Sequence, residues 1–90
     1  MFVFTGIILR EQKGFSSLCP ELDVASFGLT VATAKTALLE AASLHLEGSI
    51  EDGLPYLRPI PPDEDPRRDP IATIVETFVF KVDVAVHVYA

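Results

Sequence analysis

Apolar positions follow a strand-like pattern at both ends of this chain and a helical period in its middle. Phe2–Arg10 is rich in β-formers (Phe2, Val3, Phe4, Thr5, Ile7, Ile8) and reads as a strand. Glu11-Gln12-Lys13-Gly14 is polar and ends in glycine, as a hairpin loop should. Phe15–Cys19 is then a second strand, stopped by Pro20, which cannot donate to a ladder. Val24–Phe27 is a short third strand, broken by Gly28. Phe78, Phe80, Val82, Val84, Val86 and Val88 share one face of a final strand over Ile71–Tyr89, with Thr77, Lys81, Asp83 and His87 opposite and Val79, Ala85 and Tyr89 the less polar members of that second face.

Between the strands the period becomes helical. Val31, Ala34, Leu38, Ala41, Ala42 and His45 form one stripe, and Thr36, Glu40, Ser43 and Glu47 fall opposite. Leu39, Leu46 and Ile50 make a second apolar flank, which reads either as the edge of the core or as a partner surface. Thr30 can cap the helix, but its capping box lacks the usual Glu or Gln at Thr33. Gly53 suits the position after the helix end, with Pro55 just beyond. Leu54–Pro70 holds six of the seven prolines and predicts an extended connector. The expected fold class is α+β: a single β-β-β-α-β two-layer domain over residues 1–90, one helix on a mostly antiparallel sheet, with a Pro-rich loop at 54–70.

One helix is about 10 Å wide, too narrow to cover four strands spaced at about 4.8 Å. Sheet face or edge is therefore expected to meet another chain. The expected homo-oligomer surface comprises Leu39, Leu46, Ile50, Phe78, Phe80 and Val82. Composition points the same way: nearly half the 90 residues are hydrophobic, and no apolar run approaches the roughly 20 residues of a spanning helix. The N-terminus lacks a basic region and small-residue cleavage site. The expectation is a cytoplasmic protein that does not engage the membrane.

Net charge is −6, which argues against gripping nucleic acid directly and suits a basic partner. Solubility alone also explains such a charge. The exposed acids expected to meet a basic partner are Glu51, Asp52, Asp63, Glu64 and Asp65.

Little points to catalysis. The single cysteine, Cys19, stands before Pro20 and reads as a half-buried apolar side chain rather than a nucleophile. His45 and His87 have no further ligands at metal-binding spacing, so no metal or cofactor is expected. Glu21 and Asp23 flank Leu22 in a bend and read as solvated turn residues. No phosphate-binding glycine pattern occurs.

Gly14-Phe15, Cys19-Pro20-Glu21-Leu22, Asp23-Val24-Ala25-Ser26 and Gly28-x-Thr30 together resemble the HicB-like antitoxin family. Leu44-His45-Leu46-Glu47 and Asp52-Gly53-Leu54-Pro55 extend the resemblance, which covers about Phe2–Pro55. It implies a partial ribonuclease H-like fold in a non-enzymatic antitoxin that masks a small basic RNA-cleaving toxin of HicA type. Many family members add a DNA-binding segment, and none is expected in these 90 residues. Phe27 and Leu29 stand where the family has polar residues, and Val31–Ala34 lacks its acidic pair. Those departures imply a more apolar surface serving a different partner or the protein's own subunits. An orphan homo-oligomeric module of the same fold is the alternative. A metal-dependent nuclease of ribonuclease H type ranks last.

Overall fold

The computed structural model describes residues 2–83. Within them the chain forms β1 (Phe2–Glu11), β2 (Gly14–Cys19), β3 (Val24–Gly28), α1 (Val31–Glu51) and β4 (Ile74–Val82). The strands make one antiparallel sheet in the order β3-β2-β1-β4. The expected α+β arrangement, one helix on a four-stranded sheet, is what the chain adopts.

Pleating gives the sheet two faces. Phe2, Phe4, Gly6 and Ile8 on β1 share the helix-side face with Phe78, Phe80 and Val82 on β4 and with Ser17 and Cys19 on β2. Val3 and Val79 lie on the opposite face and are largely exposed. Gly6 pairs with Phe78, and a Cβ there would stand 2.3 Å from the Phe78 ring. The missing side chain is the room the ring occupies.

Helix α1 packs chiefly on β3 and β2. Its buried residues are Ala34, Leu38, Ala42 and Leu46, a strict four-residue spacing. Such a row is inclined to the helix axis, so the buried stripe drifts and takes Leu46 into the core where the period had favoured His45. The alanines let the first turns lie close to the sheet. At Gly28 the approach is closest, with a Cβ there only 2.3 Å from the Ala34 backbone nitrogen.

Both helix ends are capped by local chemistry. Thr30 Oγ1 accepts from the Thr33 backbone N–H at 3.1 Å, while the Thr30 N–H donates to Thr33 Oγ1 at 3.0 Å. The capping box is therefore complete, a correction to the expectation, because a threonine hydroxyl does the work of the longer Glu or Gln. At the other end Gly53 adopts φ +66°. Its N–H donates to Ile50 O and that of Leu54 to Ser49 O, closing a Schellman motif.

Leu54–Pro70 is not a bare connector. Arg58 and Ile60 donate their N–H groups to the carbonyls of Glu21 and Pro20, both at 3.0 Å. Beyond them lie two 3-10 turns, Pro62–Glu64 and Pro66–Arg68. Ile71 N donates to Asp69 Oδ1 and Ala72 N to Asp69 O, so the backbone at 71–72 is engaged in a turn. That is why β4 begins at Ile74 rather than at Ile71. The expected continuation through Val84, Val86, Val88 and Tyr89 lies outside the described residues.

The part of the sheet that α1 leaves bare is covered from within. Phe2, Phe4, Phe78 and Phe80 line it, with ring centroids 5.9–6.2 Å apart between neighbours. Tyr56 from the loop meets Phe2 edge-on at 5.2 Å. Lys35 reaches from the helix over the Phe78 ring at 4.9 Å and pairs with Glu76. Phe4, Phe80, Val82 and Leu46 consequently sit in the core with Leu22, Leu38, Ala42 and Cys19. Burying a large apolar side chain in such a cluster contributes about 1.5–3 kcal/mol.

Candidate partner-binding surface

The residues expected to face another copy of the chain divide on inspection. Leu46, Phe80 and Val82 are 0%, 5% and 4% exposed, so they have no surface to offer and the expectation for them is corrected. Helix width alone does not set the cover of this face, because the phenylalanine rings make a layer of their own. Phe78 is half-buried beneath Lys35, and Ile50 is half-buried near the helix end. Leu39 stands on the outer face of α1 with 37% of its surface exposed.

The acidic set also divides. Glu51 and Asp52 are exposed at the C-terminus of α1, and Asp63 and Glu64 are exposed on the first 3-10 turn. Asp65 is committed elsewhere. Its carboxylate accepts from the Arg67 backbone N–H at 2.9 Å and from the Arg67 guanidinium at 2.7 Å. These bonds hold its carboxyl below the usual range, and they leave little of its charge for a partner. With Arg67 and Arg68 following, the loop tip is mixed in sign rather than acidic.

Glu21, read as a solvated turn residue, is a structural clamp. Both its carboxylate oxygens accept from the Thr5 N–H at 3.1 Å, and Oε2 accepts from the Thr5 hydroxyl at 2.8 Å. Pairing of β2 with β1 reaches only Ile7, so Glu21 serves the N–H of Thr5 where the strand ladder has stopped. Leu22 then drops into the core, fully buried, and Asp23 turns the chain with φ 51°. Nothing in the local sequence marks Thr5 as the partner, because it lies 16 residues away.

Cys19 is fully buried, more so than expected. Burial, reinforced by the neighbouring Glu21 charge, pushes its thiol up to about 12. A thiol so held stays protonated and is a poor nucleophile at neutral pH. His45 donates through Nε2–H to the Tyr56 carbonyl at 2.8 Å, tying the start of the loop to the helix. Among the described residues no group of three or more His, Cys, Asp or Glu could hold a metal ion, and no helix is long and apolar enough to cross a membrane.

A surface the sequence pattern placed in part, through Leu39 and the polar face of Thr36, Glu40, Ser43 and Glu47, runs along the outer face of α1. Thr36, Leu39, Glu40, Ser43, Leu44 and Glu47 line a shallow groove between two four-residue rows, Thr36-Glu40-Leu44 and Leu39-Ser43-Glu47. Leu44 is 70% exposed. Thr36 Oγ1 donates back to Ala32 O at 3.1 Å and Ser43 Oγ to Leu39 O at 2.8 Å, so both hydroxyls are satisfied by the helix itself. What remains for a partner is leucine carbon and glutamate charge. The available signal was Leu44, an apolar residue off both expected flanks.

No protein-family model, curated protein or solved structure matches the chain.

Proposed function

We propose that this protein is a non-enzymatic, cytoplasmic HicB-like antitoxin that binds and masks a small basic RNA-cleaving toxin of HicA type. The observation that carries the reading is the charge at the end of α1. Glu47, Glu51 and Asp52 are exposed there, and the last turn contains no basic residue. Glu51 and Asp52 sit at the negative end of the helix dipole, an arrangement unfavourable by about 0.3–1 kcal/mol per charge. Among the described residues no lysine or arginine pairs with any of them, since the salt bridges there are Lys35–Glu76 and Arg67–Asp65. A basic partner would relieve that repulsion on binding. The motif residues behind the family resemblance add support through the fold: Pro20–Leu22 builds the clamp and the core plug, Gly28 admits the helix, and Thr30 caps it.

Co-expression with the product of the adjacent reading frame tests the proposal. The expected result is a complex that survives purification, weakens as salt rises, and suppresses RNA cleavage by the partner. An adjacent product that is neither bound nor inhibited would refute it.

A second reading, the orphan homo-oligomeric module, is favoured by the apolar residues on the sheet face away from the helix. Val3 and Val79 are 57% and 69% exposed, and no strand pairs with the outer edge of β4 among the described residues. Sedimentation equilibrium decides this reading. A monomer at all concentrations rules it out.

A further inference from the structure

We infer that the groove on the outer face of α1 is a docking site for a cationic amphipathic helix, seated on Leu39 and Leu44 and held at its rim by Glu40 and Glu47. The inference rests on the proposal of a basic protein partner and names the surface that partner uses.

The groove is the gap between two adjacent i, i+4 rows of one helix, the shape into which a ridge of another helix packs. Leu39 and Leu44 sit on opposite sides of it and supply the apolar contact. Ser43 and Thr36 do not compete, because their hydroxyls are bonded to the backbone of α1. Glu40 in one row and Glu47 in the other stand beside the leucines seven residues apart, two helical turns along the groove. Lys35 is the single basic residue of α1, and it is turned to the sheet side, over Phe78 and against Glu76. The outer face is therefore of one sign.

That charge selects the occupant. A second copy docking by the same face would set Glu40 and Glu47 of one chain against those of the other, which like-charge repulsion opposes. An anionic lipid surface is repelled in the same way. A partner helix with leucine-type residues at i, i+3 and i+4 and lysine or arginine beside them satisfies both the carbon and the carboxylates.

The test uses the intact 90-residue protein and a synthetic amidated peptide of leucine and lysine, spaced to give one apolar and one cationic helical face. Binding is mapped from backbone amide shifts and measured by calorimetry. Shifts should concentrate on Thr36–Glu47. Leu44→Ser should weaken binding by about tenfold, and Glu40→Gln with Glu47→Gln by roughly threefold to tenfold at low salt. Asp23→Asn with Asp83→Asn, the same charge change made away from α1, should leave affinity unchanged. Melting temperatures near that of the parent confirm that the variants remain folded.

Several results overturn the inference: shifts centred on Val3 and Val79 or on the Asp63–Asp69 loop, equal binding of a scrambled peptide of the same composition, self-association abolished by Leu44→Ser, or binding to anionic vesicles through this face. Each of these leaves the toxin proposal standing on another surface. Failure of the adjacent gene product to bind, with the peptide still mapping to Thr36–Glu47, would instead refute the toxin and retain the groove.

Discussion

Replacing Gly28 with alanine adds one methyl group and should loosen the whole helix–sheet contact. The new Cβ would lie 2.3 Å from the Ala34 nitrogen and 2.6 Å from the Thr33 carbonyl carbon, both backbone atoms of the first helical turn. No rotamer change can relieve such a clash. Restoring an ordinary contact of 3.4 Å requires a displacement of 3.4 − 2.3 = 1.1 Å at the Ala34 nitrogen, so the turn must lift away from β3. Ala34, buried at 0% exposure, loses its packing as it rises. Overpacking a tight site costs about 1–3 kcal/mol, and a clash with backbone belongs toward the upper end. For a domain near this size each kcal/mol moves the melting temperature by about 4–8 °C, so a fall of about 10–20 °C is expected. Gly48→Ala is the matched control. Its Cβ meets nothing within 4 Å, and an exposed helical glycine replaced by alanine should gain about 1 kcal/mol. Thermal melts followed by circular dichroism, with urea titrations, compare the two. An unchanged Gly28→Ala melt, or shifts of the same sign for both variants, would refute the close-approach argument.

Three further outcomes are expected. Thr30→Ala should cost about 1 kcal/mol in urea denaturation by removing the helix cap, and Thr33→Ala should cost a measurable part of that by opening the capping box. Glu21→Ala should cost about 1–3 kcal/mol, because it strips the Thr5 N–H and hydroxyl of their acceptor, and amide exchange at Thr5 should quicken. The Cys19 thiol should resist a disulfide reagent at pH 8 until the chain is unfolded. Its folded value of about 12 lies above the ordinary 9.0, so the unfolded state ionises first. The stability attached to it is complete below pH 9 and is lost as the pH climbs from there toward 12. Cys19→Ala should lose stability less steeply over that range, and parallel curves would contradict the burial.

Periodicity and punctuation specify the elements of this domain before any contact is known. The β-formers of Phe2–Arg10, the Gly14 hairpin, the Pro20 stop, the Thr30 cap and Gly53 with its positive φ are local properties of the chain, and each falls where local physics places it. Long-range pairing is different in kind. Glu21 looks like any acid in a turn until the folded sheet brings the N–H of Thr5 to it. The Pro-rich stretch looks unstructured until the bend at Pro20–Glu21 offers carbonyls to Arg58 and Ile60.

The same division governs the surface. Sequence pattern correctly put Phe78, Phe80 and Val82 on one face of one strand, yet it could not tell a face covered by another subunit from one covered by its own aromatic rings. Side-chain volume settled that, since neighbouring phenylalanines and Tyr56 fill the half of the layer the helix leaves. Likewise, the sum of charges along the chain pointed to a basic partner but not to a place. Asp65 proved to be occupied by Arg67, while Glu40 and Glu47 flank exposed leucines on the outer helix face. Composition determines how much charge and apolar surface the chain carries. Which of it stays free is decided by packing, because each group's partner is chosen by distance in space, not along the chain.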